Sequence, residues 1–181
     1  MDNLNLEILY LDNIKKTFRY YQSLGETCIH RMNIDELNYC YGSESNSILI
    51  LVKHLSGNMV SRWTDFATSD GEKEWRNRDG EFEHSLETKE ELLAIWHRGW
   101  DILYGALDSM SPNQLSDLIT IRGEKQTILE AINRQLAHYS YHIGQIVFIA
   151  KSLSDEPWKT LSIAKGASEQ FNRNMKNKTN L

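Results

Sequence analysis

The chain contains few residues that break helices or crosslink a fold: two prolines and two cysteines among 181 residues. Two prolines leave long stretches without a helix breaker. Cys28 and Cys40 stand alone and match no zinc ribbon, no CxxC redox pair and no disulfide framework. We therefore expect two reduced thiols in a cytoplasmic protein.

Long apolar runs are also missing. The longest, residues 48–52 and 146–150, fall far below the ~20 residues that a membrane span needs. The N-terminal residues lack a basic stretch followed by an apolar one, so no signal peptide is expected. A net charge of −5 gives no electrostatic reason to expect nucleic acid or an anionic membrane as partner. With a hydrophobic fraction of 40%, the sequence predicts one soluble globular domain over residues 1–181.

Four long segments carry the apolar periodicity of helices, which predicts an all-α four-helix bundle. The Thr88/Glu91 and Thr127/Glu130 spacings are capping boxes that mark two helix starts. The predicted helices are residues 6–24 with a stop at Gly25, 47–63, 88–110 and 127–152. The last of these is apolar on almost every side between residues 136 and 150, which is typical of a helix at the centre of a bundle.

The connections are unequal in length. Residues 34–39 are predicted to form a short helical turn and residues 118–122 an extended piece. A long, charged loop over residues 64–87 joins the second and third helices. This loop is a candidate lid or dimer surface; a solvated loop pinned by Trp75 and Phe82 is the favoured alternative. The Asn- and Lys-rich tail, 167–181, is predicted to be partly mobile.

The strongest candidate for a functional site is the pair His138 and His142. Four residues apart on a helix, the two imidazoles project from one face with Cβ atoms about 6 Å apart, within reach of one divalent metal ion. Both lie in the most apolar predicted helix, where an unpartnered polar ring is costly. The alternative is two core histidines that hydrogen-bond to backbone or tyrosine.

His54, near the middle of the second helix, is the best available third ligand. Three histidines and a water form the open zinc geometry of catalytic sites. Taken alone, a single helical histidine is more often structural. The remaining histidines are expected in solvent-exposed or structural roles: His30, His84 and His97.

Several familiar motifs are absent. Tyr139 stands where an HExxH metalloprotease would have its glutamate. There is no P-loop, GxGxxG or GxSxG motif, and His54, His138 and His142 are not preceded by the glutamate of the Glu-x-x-His pairs that di-iron bundles use. The lack of nearby carboxylates favours Zn²⁺ or Ni²⁺ bound by imidazole.

Three stretches resemble a known superfamily: KHLSGNMVSRWTDFATSDGEKEWRNRDGEFE, AINRQLAHYSYHIGQIVFIAK and WKTLSIAKGASEQFN. They are similar to the DinB/YfiT-like superfamily of metalloenzymes, and more specifically to an uncharacterised bacterial family of unknown function within it. The resemblance implies a four-helix bundle, often a homodimer, with a metal ion held by His54, His138 and His142. Characterised relatives include transferases and isomerases that use a low-molecular-weight thiol such as bacillithiol.

The leading hypothesis is a metal-dependent enzyme that activates a small thiol for transfer to an electrophilic small molecule. Asn58 and Gln145 are candidates for orienting ligands or substrate, with ordinary polar residues as an equal alternative. Arg62 is a candidate for binding a substrate carboxylate, although an ion pair that anchors the loop is favoured for it. A non-catalytic metal-binding protein related to stress and a metal-dependent hydrolase remain as alternative functions.

Overall fold

A computed structural model of the chain describes residues 6–83, 86, 88–155 and 157–179. This part of the chain is mostly helical, as predicted, and contains one two-stranded sheet. Its elements are α1 (Leu6–Arg31), α2 (Ile34–Asn38), α3 (Ile48–Trp63), α4 (Lys89–Ser109), β1 (Leu118–Ile121), β2 (Glu124–Thr127), α5 (Ile128–Leu153) and α6 (Ser168–Thr179). Two short 3-10 helices cover Asp79–Phe82 and Pro112–Ser116. None of the described helices is both long enough and apolar enough to cross a membrane.

The four long helices enclose one hydrophobic core. α1 packs against α4 and α5, and α3 packs against the same two helices. The apolar stripes predicted for the second and third helices are buried, including Leu55 on α3 and Trp96 and Trp100 on α4. The two cysteines are free thiols, and burial raises the pKa of Cys28 to about 11.

Capping boxes start α4 and α5 at the predicted residues. The hydroxyl of Thr88 accepts a hydrogen bond from the backbone N–H of Glu91, whose carboxylate accepts from the N–H of Thr88. Thr127 and Glu130 make the same pair of bonds. Each box satisfies N–H groups that have no partner within the helix, and the second sets the start of the helix that carries two of the histidines.

The predicted helix stop at Gly25 is wrong, because α1 continues to Arg31. A Cβ atom on Gly25 would lie 2.6 Å from Cη2 of Trp96 and 3.0 Å from Cδ1 of Ile143. The missing side chain therefore lets α1 approach α4 and α5 closely. Its role is in packing rather than in ending the helix.

α5 is not buried on every side, contrary to the expectation from its composition. Tyr141 and Phe148 are 55% and 69% exposed, so only one face of α5 meets the core. That face contains Tyr139, Ile143 and Ile146, all of which are buried. Composition alone does not separate an apolar side chain on the surface from one in the core.

The extended piece predicted over residues 118–122 is one half of an antiparallel hairpin. β1 pairs with β2 in a register that sets Leu118 opposite Thr127. The turn residues Arg122 and Gly123 have φ values of 56° and 77°, as a two-residue type I′ turn requires. β2 was not predicted because its sequence, EKQT, is entirely polar.

Trp75 does not pin the long loop, because it is 61% exposed. Phe82 is partly buried and its ring centroid lies 5.4 Å from that of His54, and polar contacts also hold the loop. The carboxylate of Asp70 accepts hydrogen bonds from the backbone N–H groups of Arg122 (2.8 Å) and Gly123 (2.9 Å). The N–H of Gly71 donates to the carbonyl of Thr120 at 2.8 Å. The loop is thus attached to the hairpin.

Two other expectations concern the C-terminal tail and His84. Within the tail 167–181, α6 forms a helix whose described side chains are almost all exposed, and the mobility of the tail stays a prediction. His84, for which a solvent or structural role is expected, lies outside the described residues.

Candidate metal centre

Three histidines from two helices meet between α3 and α5. His54 projects from α3, and His138 and His142 project from successive turns of α5. One ring nitrogen from each lies within 4.8 Å of the corresponding atoms of the other two. The three side chains are therefore close enough to bind one metal ion, as the sequence predicted.

The arrangement follows from how the two helices pack. His54 and His142 are buried at 7% and 6% exposure, which is unusual for polar side chains. The four-residue spacing on α5 sets the His138 and His142 ring centroids 4.8 Å apart. The His54 ring lies 5.3 Å from the first and 5.1 Å from the second. A buried face of each helix thus supplies the cluster.

The distance between two of the ring nitrogens suits tetrahedral coordination. Nε2 of His54 lies 3.3 Å from Nε2 of His138. Two nitrogens that bind one Zn²⁺ tetrahedrally at 2.0–2.1 Å are about 3.3 Å apart. This pair already has the required separation.

Glu81, on the 3-10 helix of the long loop, orients His54. Nδ1–H of His54 donates to Oε2 of Glu81 at 2.9 Å. Arg76 also donates to this carboxylate, from Nε to Oε1 at 2.8 Å and from Nη2 to Oε2 at 3.0 Å. Burial alone would raise the pKa of Glu81, but the hydrogen bonds from His54 and Arg76 outweigh it and the pKa lies below its ordinary value. An ionised Glu81 keeps the proton on Nδ1 and leaves the Nε2 lone pair facing the other histidines.

Gly57 provides the space for Glu81. A Cβ atom on Gly57 would lie 2.7 Å from Cδ of Glu81 and closer still to Oε1. Gly57 lies on α3, one turn beyond Lys53. Because Gly57 has no side chain, the Glu81 carboxylate can pass beside it and reach His54. Glu81, Gly57 and Arg76 were not predicted from the sequence as site residues. Their only signal was the Asp79-Gly80 turn just before Glu81, which does not reveal a contact with α3.

The two ring nitrogens of His142 differ in their hydrogen bonding. Its Nδ1 lies 2.7 Å from Oε1 of Gln145, which accepts a hydrogen bond from Nδ1–H. Its Nε2 is buried and has no hydrogen-bond partner within the described part of the chain. This observation argues against two ordinary core histidines, because buried polar atoms are normally paired. An unpartnered buried nitrogen that faces two others is what a metal ligand requires.

Burial keeps two of the rings neutral at physiological pH. It lowers the pKa of His138 to about 3, with the neighbouring imidazoles of His142 and His54 adding to the effect. It lowers the pKa of His142 to about 4, although the hydrogen bond to Gln145 opposes this. Neutral imidazole is the form that binds metal ions.

The structure also locates the other candidate site residues. Asn58 is buried, and its Oδ1 accepts a hydrogen bond from Tyr139 at 3.2 Å. Arg62 is buried and donates to the carbonyl of Gly71 and to Oε2 of Glu72, the latter at 2.9 Å. The recorded contacts of Arg62 thus attach α3 to the long loop, whereas Gln145 contacts a histidine of the cluster directly.

Two of the remaining histidines lie away from the cluster. Nε2 of His97 lies 3.0 Å from the carboxylate of Glu26, and the His97 side chain is half exposed. His30 is also exposed and lies 3.8 Å from the same carboxylate. Their positions at the surface match the expected roles.

A polar pocket of about 210 Å³ opens beside the cluster. His54 and His138 form part of its wall, together with Asn58, Gln135 and Tyr141. The Tyr141 ring packs on His142, with centroids 4.0 Å apart. A small molecule in this pocket would lie next to His54 and His138.

Residues 5–167 match the family described as Protein of unknown function (DUF1572). The match covers most of the chain, and the chain belongs to this family. No curated protein matches the chain. The expectation of an uncharacterised family is therefore confirmed, and the family name carries no activity.

Proposed function

We propose that the chain is a metal-dependent enzyme with a DinB-type four-helix bundle, in which His54, His138 and His142 hold one divalent metal ion. The observation that carries the proposal is the convergence of three imidazoles in which the buried Nε2 of His142 has no hydrogen-bond partner among the described residues. A bound cation would satisfy that nitrogen. The packing of α1, α3, α4 and α5 around one core supports the bundle.

The donor set favours Zn²⁺ or Ni²⁺. Imidazole suits both ions, whereas Mg²⁺ and Ca²⁺ prefer oxygen ligands. Among the described residues, the cluster contains no carboxylate ligand. Glu81 reaches the outer nitrogen of His54 instead, which is the carboxylate–histidine arrangement that supports many zinc sites.

The residues around the histidines orient them for binding. Glu81 holds Nδ1–H of His54, and Gln145 holds Nδ1–H of His142. Both contacts fix the tautomer in which Nε2 carries the lone pair. Three imidazole ligands would leave a fourth coordination position free on a tetrahedral metal ion, as in open catalytic sites rather than closed structural ones.

The chemistry we propose is the transfer of a small thiol, such as bacillithiol, to an electrophilic small molecule. When bound, the metal ion stabilises a thiolate over the thiol and so supplies a nucleophile at neutral pH. The sulfur forms a bond with the electrophilic carbon, the leaving group departs with the bonding electrons, and the thiol proton passes to solvent. The pocket beside His54 and His138 would hold the electrophile.

Glu81, the carboxylate that contacts His54, is poorly suited to general-base catalysis, which makes hydrolysis the weaker candidate. Both oxygens of Glu81 accept hydrogen bonds from Arg76, and one also accepts from His54. Its lowered pKa makes it a weak base. Its role is to position His54.

Metal analysis of protein purified without a nickel column tests the proposal. We expect about one zinc or nickel per chain, lost in His138→Ala and retained in His97→Ala, which removes a surface histidine. Bacillithiol and 1-chloro-2,4-dinitrobenzene then report thiol transfer by the wild type and by both variants. Full metal content in His138→Ala would refute the site. Metal binding without turnover would favour the non-catalytic alternative.

A further inference from the structure

The pocket beside the three histidines is rich in arginine. Its volume of about 210 Å³ is below the ~300–1,000 Å³ of pockets for drug-sized ligands. No aspartate or glutamate is among its described lining residues. Its cationic lining residues are Arg62, Arg76, Arg78, Arg122 and Arg134. Its size and charge together suit a small anion.

Three carboxylates neutralise only part of this charge. Glu72 accepts hydrogen bonds from Arg62 at 2.9 Å and from Arg122 at 2.7 Å. Glu81 accepts from Arg76, and Asp70 lies close enough to Arg62 for the guanidinium to help lower the pKa of its carboxyl. Five guanidinium groups against these three carboxylates leave a surplus of two positive charges. Because the whole chain has a net charge of −5, this surplus is a local property of the pocket.

Arg134 and Arg78 supply much of the surplus. In the described part of the chain neither has a carboxylate partner, and Arg78 lies over the ring of Phe82 at 5.5 Å. Arg134 is exposed and precedes His138 by four residues on α5, so both project from the same side of the helix. A ligand that contacts Arg134 would therefore extend toward the histidines.

Two buried polar atoms of lining residues lack hydrogen bonds. Nη1 of Arg76 and Oε1 of Gln135 have no hydrogen-bond partner among the described residues. Oε1 of Glu72 lies 3.9 Å from Nη1, which is beyond hydrogen-bond distance. The Arg76 side chain is 2% exposed. A buried guanidinium N–H without an acceptor is costly, and an anionic oxygen in the pocket would supply that acceptor.

We infer that this pocket binds the carboxylate or phosphate group of a small molecule, with Arg134 and Arg76 as its direct contacts. The inference rests on the proposed function and deepens it, because it names the chemical class of one substrate. Either the electrophile or the thiol carries at least one such anionic group. Guanidinium suits this task because its planar N–H groups match both carboxylate and phosphate oxygens.

Calorimetric titration of the full chain tests the inference in both the zinc-loaded and the metal-free form. The probes are succinate, inorganic phosphate and succinamide, the last a neutral analogue of succinate with similar size. We expect at least one anion to bind at least tenfold more tightly than succinamide, and more weakly at higher salt. Succinate and phosphate distinguish a carboxylate site from a phosphate site.

Arginine variants show whether the anion occupies this pocket. Arg134→Gln should weaken binding at least tenfold, and Arg134→Lys should restore part of it because the charge is retained. Arg98→Gln is the matched control, since Arg98 is an exposed α4 arginine that lines a different pocket. Anions that bind no better than succinamide, or unchanged binding in Arg134→Gln, would overturn the inference. Zinc binding is measured separately. A protein that binds zinc but none of the anions refutes only this inference. A protein that binds an anion but cannot bind zinc refutes only the metal proposal.

Discussion

Oε2 of Glu81 lies 2.9 Å from Nδ1 of His54 and joins the long loop to the three-histidine cluster. The contact spans 27 positions in the sequence. It gives the loop a specific task, because the carboxylate fixes the tautomer and the orientation of one candidate metal ligand. The loop is therefore part of the site rather than a simple connection between α3 and α4.

Removing the Glu81 carboxylate should weaken metal binding. We expect Glu81→Gln to lower the affinity for zinc about 10- to 100-fold, because outer-shell partners of metal-binding histidines have effects of that size. Competition with a chelator of known affinity measures the change. The matched control is Glu74→Gln, which changes an exposed glutamate of the same loop. Equal zinc affinity in the wild type and in Glu81→Gln would contradict the positioning role.

Adding one methyl group at Gly57 should also weaken metal binding, because it would displace the Glu81 carboxylate. The new Cβ atom would lie 2.7 Å from Cδ of Glu81, and that side chain has little freedom because Arg76 and His54 both bind it. Gly57→Ala should therefore displace Glu81 and lower zinc affinity while the protein remains folded.

Gly105→Ala is the control for this experiment. Gly105 lies on α4, and no atom is within 4 Å of a Cβ built there. This substitution should leave zinc affinity unchanged and stabilise the protein by up to about 1 kcal/mol, because alanine is the better helix former. If Gly57→Ala bound zinc as well as Gly105→Ala, the close approach of Glu81 would have no role in binding.

Gly25 should be intolerant of any side chain. Gly25→Ala would place Cβ 2.6 Å from Cη2 of Trp96, which is buried and has no room to move. Overpacking of this kind costs about 1–3 kcal/mol. Urea denaturation should show that loss in the free energy of unfolding. Gly144→Ala on α5 has open space around its Cβ and should lose nothing. A stable Gly25→Ala protein would mean that α1 and α4 can separate without cost.

The metal-free protein should lose stability as the solution becomes acidic. In the folded chain the pKa values of His138 and His142 are about 3 and about 4, whereas an unfolded histidine has a pKa of about 6.5. Below pH 6.5 the unfolded chain therefore binds protons that the folded chain does not bind. The contribution of these two histidines to stability is lost from about pH 6.5 down to about pH 3.

Histidine variants test whether this pH dependence comes from the buried histidines of the three-histidine cluster. Urea denaturation at several pH values between 4 and 7 should give a shallower slope for metal-free His142→Gln than for the wild type. His30→Gln should keep the wild-type slope, because His30 is exposed. The same slope in all three proteins would show that the buried histidines do not control the dependence.

Local signals predicted most of the helices and the three histidines. The apolar stripes of α3 and α4 and the capping boxes at Thr88 and Thr127 are patterns within a few residues of each other. The spacing of His138 and His142 is equally local. His54 was found by elimination and by its position on the apolar side of a predicted helix.

Contacts between distant segments could not be predicted in the same way. Gly25 indicated a helix end, and its real neighbour, Trp96, lies on another helix. Trp75 was expected to pin the loop because it is aromatic, yet its side chain is exposed. In both cases the residue type allows two environments, and only the packing of other elements selects one.

The sequence by itself determined the helical character of the protein, the starts of two helices and the identity of three candidate metal ligands, since these depend on periodicity and capping over a few residues. The tertiary structure alone decided that Glu81 holds His54, that Gly57 makes room for it and that five arginines line one pocket. The physical reason is that hydrogen bonding, close packing and summed charge depend on distances between residues far apart in the chain.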